Sequence, residues 1–228
     1  MTIELCVFDA YGTLFDVAGA ARNAAAEPGG EAMAETWPAI AESWRRKQLE
    51  YSWLRSAAGV HTDFWSVTTD ALDHALETHG VAETVLRARL LDLYWRLPAY
   101  PEVPATLAAL KGSGKATAIL SNGSPAMLSG AVESAGIGDR LDAVLSVEAV
   151  GRFKPAREVY DLVGQHFGVP RRAVLFVSSN GWDACFAAAY GFETVWANRK
   201  GEPVDRLPGR PAHSVADLSG IPQLAGAA

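Results

Sequence analysis

Apolar and polar positions change their spacing twice along this chain. Leu5-Cys6-Val7-Phe8 is an unbroken apolar run of strand length, and it ends at Asp9 and a Gly12-Thr13 turn. From Asp16 to Leu97 the apolar positions recur at helical spacing: Trp37, Ile40 and Trp44, then Leu72, Ala75 and Leu76, then Leu86, Leu90, Leu91 and Leu93. Pro98 and Pro101 close that block. Beyond them, helices over 102–112, 125–135, 156–167 and 182–190 alternate with strands over 116–121, 142–147, 173–178 and 193–197. Such alternation predicts an α/β fold, a doubly wound, Rossmann-like parallel sheet with helices on both faces. A helical insert directly after the first strand must sit over the carboxyl end of the sheet. The expected division is therefore a core of residues 1–15 and 98–228 with a cap of residues 16–97. Residues 210–228 carry little pattern and are expected to fray.

In an open α/β sheet, ligands bind beyond the carboxyl ends of the strands, so Asp9 is placed to face a crevice. A site built to transfer phosphate would need a second carboxylate two residues on to protonate the leaving group. Tyr11 stands there instead, and a phenol does not serve at neutral pH. Three more strand ends carry complementary groups. The 116–120 run leads into Ser121-Asn122-Gly123-Ser124-Pro125, which offers hydroxyl and amide donors at a helix start. Lys154 precedes Pro155 and supplies a point cation that keeps a carboxylate ionised. The last run ends in Ser178-Ser179-Asn180-Gly181-Trp182-Asp183, where Asn180 and Asp183 are three apart and face the same way. Taken singly, Asp9 reads as a helix cap, Arg45 as a solvated helix face, Tyr160 as packing, and Leu49, Phe64 and Trp182 as core. Four strand ends presenting matched chemistry at once outweigh those readings.

Composition narrows the setting. A chain of 228 residues that is 49% hydrophobic can bury a sizeable core, and a net charge of −6 disfavours nucleic acid and anionic membranes as partners. No apolar stretch approaches the roughly 20 residues of a membrane helix, and Glu4 and Asp9 interrupt any signal peptide. Cys6 and Cys185 are expected to be reduced and buried, which fits a cytoplasmic protein. The five histidines (61, 74, 79, 166 and 213) have no metal-ligand spacing, so no metal and no cofactor are expected.

The segments DAYGT, SNGSP, the lysine of Lys154-Pro155, and SSNGWD resemble the four signature segments of the haloacid dehalogenase superfamily. The helical stretch SWRRKQLEYSWLR, from Ser43 to Arg55, resembles the cap of the hydrolytic type II L-2-haloacid dehalogenases, and the likeness runs from about Ile3 to Asn198. The resemblance implies Asp9 as nucleophile, Thr13 as its hydrogen-bonding neighbour, and Arg45 as the cation that takes the halide. It implies Ser121 and Asn122 as substrate-carboxylate and halide contacts and Lys154 with Tyr160 as a charge-tuning pair. Ser178, Asn180 and Asp183 would orient Lys154 and the hydrolytic water. Tyr11, Leu49, Phe64 and Trp182 would wall the substrate, whose carboxylate would meet Ser121 and the backbone N–H groups from Asp9 through Ala10 to Tyr11. The chain departs from the pattern at Arg46, which adds charge beside Arg45, and at Gly181, which is expected to loosen its turn.

The implied reaction is hydrolysis of short L-2-haloalkanoic acids to D-2-hydroxy acids and halide through an ester on Asp9. The implied assembly is a homodimer, consistent with the cap aromatics Trp37, Trp44, Tyr51, Trp53 and Trp65. Two alternatives stay open here: a magnesium-dependent phosphatase on the same fold, and a non-catalytic small-acid binding protein. The first would need more carboxylates than Tyr11 and the Ser178-Ser179 pair leave.

Overall fold

The computed structural model describes residues 2–82 and 84–227. Six strands form one sheet: β1 (Leu5–Phe8), β2 (Ala116–Ser121), β3 (Ala143–Ser146), β4 (Val174–Ser178), β5 (Glu193–Ala197) and β6 (His213–Val215). Their order is β3-β2-β1-β4-β5-β6, and every neighbouring pair is parallel. This is the Rossmann-like order with the chain reversing direction across the sheet at β1, where the crevice opens. Phe8 pairs with both Ile119 and Val177, so the residues after β1, β2 and β4 emerge side by side.

Four helices lie between β1 and β2 ahead of Pro98: α1 (Gly19–Ala26), α2 (Trp37–Ala58), α3 (Phe64–Thr78) and α4 (Thr84–Trp95). Asp63 caps α3 by accepting from the N–H groups of Trp65 and Ser66, and Gly59 ends α2 in the left-handed region. The helical spacing holds, with Ile40, Trp44, Leu72, Ala75, Leu76, Leu86 and Leu90 all buried. The buried face of α2 is unusual in also carrying Ser43, Gln48 and Ser52. Side chains of that kind go inside only when hydrogen-bonded or functional.

The remaining helices are α5 (Val103–Gly112), α6 (Pro125–Ala135), α7 (Arg157–Phe167), α8 (Gly181–Tyr190) and α9 (Ile221–Leu224). Ser124 caps α6, with Pro125 as its first residue. Cys6 and Cys185 are free and buried. Among the described residues no helix is long and apolar enough to cross a membrane.

The expectation of a fraying tail is wrong. Residues 213–215 add the sixth strand beside β5, and Leu218, Ile221 and Ala225 are buried against α5. Thr106 Oγ1 donates to Leu218 O at 3.1 Å and fastens the segment. Three apolar anchors separated by turns are enough to dock a segment that lacks any period.

Candidate active site

Asp9 follows the last residue of β1, and its N–H donates to Val177 O at 2.9 Å. The turn after it folds back, because the N–H groups of Thr13, Leu14 and Phe15 all converge on Ala10 O. Gly12 makes this possible: its φ is +90°, and a Cβ there would lie 3.0 Å from Ser179 Oγ. The turn returns the Thr13 hydroxyl to Asp9 Oδ2 at 3.0 Å, and Asn180 Nδ2 donates to the same oxygen at 2.9 Å. Lys154 Nζ takes the other oxygen, Oδ1, at 3.1 Å and bridges to Asp183 Oδ2 at 2.8 Å. Tyr160 OH donates to Asp183 Oδ1 at 2.7 Å.

This centre is sealed: Asp9 is 6% exposed, Lys154 1% and Asp183 0%. Burial opposes the charge of Lys154, but the two carboxylates more than offset it and hold the ammonium above the ordinary lysine range. Burial likewise pushes the Asp183 carboxyl up, against the pull of Lys154, while the Asp9 charge adds to the rise. Burial and the neighbouring Asp183 raise Tyr160 well above its usual value, so it stays a neutral donor.

Arg45 reaches down from α2 onto this group. Its Nη2 donates to Tyr11 O at 3.1 Å and Asn180 Oδ1 at 3.2 Å, and its Nη1 donates to Gln48 Oε1 at 2.7 Å. Tyr11 stacks on Tyr94 at 5.6 Å between ring centroids and tilts over Phe64 at 6.0 Å, forming an apolar wall beside Asp9. Gly123 lets that ring come close, since a Cβ there would lie 2.8 Å from Tyr11 Cε2. Asn122 Oδ1 accepts from Lys154 N at 2.9 Å, which leaves its amide NH₂ free to donate, and Ser121 Oγ accepts from Gly123 N at 3.1 Å.

Asp9, Thr13, Arg45, Asn122, Lys154, Tyr160, Asn180 and Asp183 thus form one continuous polar group. Others stand apart from it. Ser178 Oγ accepts from Asn180 N at 3.2 Å and touches neither Asp9 nor Lys154. Its neighbour Ser179, which the sequence reading left aside, holds Thr13 instead, with its N–H 2.8 Å and its hydroxyl 3.1 Å from Thr13 Oγ1. Leu49 is half-buried on α2, outside the polar group. Trp182 packs edge-on to Trp53 and lines, with Lys154, a cavity of about 520 Å³ between α2 and the core. Of the three backbone donors expected to meet an anion, that of Asp9 belongs to the sheet. Only Ala10 and Tyr11 retain theirs among the described residues.

Both departures have local explanations. Arg46 points outward beside Glu50, and a Cβ on Gly181 would meet Asp205 Oδ2 at 2.6 Å.

The chain itself has counterparts among known proteins. Residues 3–191 match the family model of the haloacid dehalogenase-like hydrolases. The chain belongs to that family. As a haloacid dehalogenase-like hydrolase it is 45% identical, over 97% of its own length and 96% of the relative's, to (S)-2-haloacid dehalogenase 1 of Pseudomonas sp. (strain CBS-3). A crystal structure of an L-2-haloacid dehalogenase overlays on it with a TM-score of 0.93 at 41% identity, covering 99% of this chain and 100% of that one. The L-2-haloacid dehalogenase of Xanthobacter autotrophicus, with chloropropionic acid covalently bound, overlays with a TM-score of 0.85 at 37% identity, covering 99% of each chain. The sealed group of Asp9, Lys154 and Asp183 thus lies on a backbone frame that this chain shares with proteins named as L-2-haloacid dehalogenases.

Proposed function

We propose that this hydrolase cleaves the carbon–halogen bond of (S)-2-haloalkanoic acids, with Asp9 as the nucleophile and no metal. The observation that carries the reading is the Lys154 ammonium lying between Asp9 and Asp183, with Tyr11 in place of a second acid at the turn. The cation occupies the space a divalent metal would need, and it pairs with the Asp9 carboxylate beside an apolar wall.

Substrate carboxylate meets Ser121 and the free N–H groups of Ala10 and Tyr11, leaving C2 before Asp9. Oδ2 is held by Thr13 and Asn180, so Oδ1 is the oxygen that attacks. The new O–C2 bond forms as the C2–halogen bond breaks, and the electron pair leaves with the halide toward Arg45 and Asn122. Water then adds to the carbonyl carbon of the Asp9 ester and gives its proton to Asp183. The acyl–oxygen bond breaks, the proton passes from Asp183 to the departing alkoxide, and the second proton of the water leaves to solvent, so that Asp9 is restored as a carboxylate with the 2-hydroxy acid. Ser178 supports this only through the backbone of Asn180. The helices of residues 16–97 act as the cap that supplies Arg45 and excludes water from the nucleophile.

One displacement at C2 and a second attack at a carbonyl carbon invert configuration once. (S)-2-Chloropropionate should therefore release chloride and yield D-lactate, at a rate unchanged by EDTA. Retained configuration would exclude the route. Loss of activity with EDTA, together with magnesium-dependent hydrolysis of p-nitrophenyl phosphate, would favour a phosphatase.

The protein is further proposed to act in the cytoplasm as a homodimer. Of the cap aromatics, Trp44 is buried and Trp65 packs on Trp95, so Trp53 and Leu54, 38% and 58% exposed on α2, supply the apolar surface for pairing. Sedimentation velocity should give a mass near twice 24.3 kDa, and a species of single-chain mass at micromolar concentration would overturn the dimer.

A further inference from the structure

Gln48 is 1% exposed on α2, one helical turn from Arg45, and its amide has no free capacity. Nε2 donates to Thr68 Oγ1 at 2.7 Å and to Tyr94 OH at 2.9 Å, while Oε1 accepts from Arg45 Nη1 at 2.7 Å and from Tyr94 OH at 3.3 Å. A guanidinium cannot accept a hydrogen bond, so the amide oxygen must face Arg45 and the orientation is settled. Thr68 is itself tied to Phe64 O at 2.7 Å, and its carbonyl accepts from Trp44 Nε1 at 2.9 Å. Three helices of the insert thus converge on one amide. Beside it, Val17, Ala41, Trp44 and Tyr94 line a void of about 10 Å³, room for one water at most, so the guanidinium cannot swing to that side.

We infer that Gln48 is a positioning residue that aims Arg45 at the departing halide while leaving its charge uncancelled, and so sets how strongly the rate depends on the leaving group. A carboxylate at this position would hold the guanidinium as well but would pair with its charge. A neutral acceptor holds it without pairing. The inference rests on the dehalogenase reading above and adds a residue that the reaction itself does not touch.

The test compares Q48E, Q48M and Tyr94→Phe with the unaltered enzyme in single-turnover halide release from (S)-2-chloropropionate and (S)-2-bromopropionate. Q48E keeps the shape and the acceptor that Arg45 Nη1 meets, gives up the donation to Thr68 Oγ1, and cancels charge. Chloride release should fall about a hundredfold, the scale of losing one donor to a developing anion. Bromide is the better leaving group and needs Arg45 less, so the bromide-to-chloride rate ratio should widen at least about threefold while KM changes little. Q48M, which loosens Arg45, should move the ratio the same way by less. Tyr94→Phe removes one support of the amide and should give the smallest shift in that direction; it remains informative should either Gln48 variant fail to fold. A merely structural role would lower both rates equally. An unchanged ratio in the folded variants of an active enzyme overturns this inference alone, whereas absence of halide release by the unaltered protein overturns the dehalogenase reading and this inference with it.

Discussion

With enzyme in excess over (S)-2-chloropropionate in H₂¹⁸O, the lactate of the first turnover is expected to be unlabelled at C2, and the label is expected in the peptide that contains Asp9. The ester route takes the C2 oxygen from the Asp9 carboxylate and returns a solvent oxygen to that carboxylate during hydrolysis. The competing route, in which an activated water attacks C2 directly, also inverts configuration, so only isotope placement separates them. The geometry favours the ester. Asp9 is buried, its Oδ2 is held by two donors, and among the described residues its Oδ1 meets Lys154 alone, which leaves that oxygen oriented for attack. Asp9→Asn should lower turnover by on the order of 10⁴-fold or more, because an amide is a poor nucleophile and its NH₂ would abut the Lys154 ammonium. Label in the first-turnover lactate and none in the Asp9 peptide would shift the base role to Asp183 acting on water.

The sheet could be read from the sequence because buried parallel strands are short apolar runs and their crossover helices keep a period of 3.6. The polar ends of those runs could be read for the same reason: a strand end is where the apolar pattern stops. What escaped depends on pairing in three dimensions. Ser178 and Ser179 are equivalent as letters, but successive side chains leave a strand on opposite faces, which puts Ser178 over the Asn180 backbone and Ser179 against Thr13. Gln48 lies in the charged run RRKQLEY, which reads as solvated surface. Its burial follows only from Thr68 on α3 and Tyr94 on α4, 20 and 46 residues away. The helical spacing marked Leu93 as a buried position, yet it is Tyr94 that is buried, because its ring stacks on Tyr11 and its hydroxyl finds Gln48. The last nineteen residues failed for another reason. Strand β6 is three residues long and open to solvent, and its place is set by β5 and by Leu218, Ile221 and Ala225 behind it.

Lys154→Met is expected to stop turnover and also to destabilise the fold by about 3–5 kcal/mol near neutral pH, as removing one partner of a buried ion pair does. The methionine fills similar space, so the loss reports charge and not a cavity. The dependence on pH has a definite sign. In the unaltered protein Lys154 titrates above its ordinary value of about 10.4, so its stabilising contribution is fully present below about 10.4 and is lost only as pH rises through the higher folded value. Asp183 titrates above the ordinary value of about 3.9, so the folded state gains most from its protonated form, and that gain fades as pH rises from about 3.9 through its raised value. Without the ammonium, the pull that limits the rise of Asp183 is gone, and Asp9 and Asp183 are left facing each other uncompensated. One of them must then hold a proton in the folded state. The deficit of Lys154→Met relative to the unaltered protein should therefore narrow as pH falls from about 8 to about 5, measured by urea unfolding with equal m-values. A deficit that stays constant over that range, or one below about 1 kcal/mol at pH 8, would mean that Asp9 and Asp183 do not depend on Lys154 for their charge, and the electrostatic account of the nucleophile would fail with it.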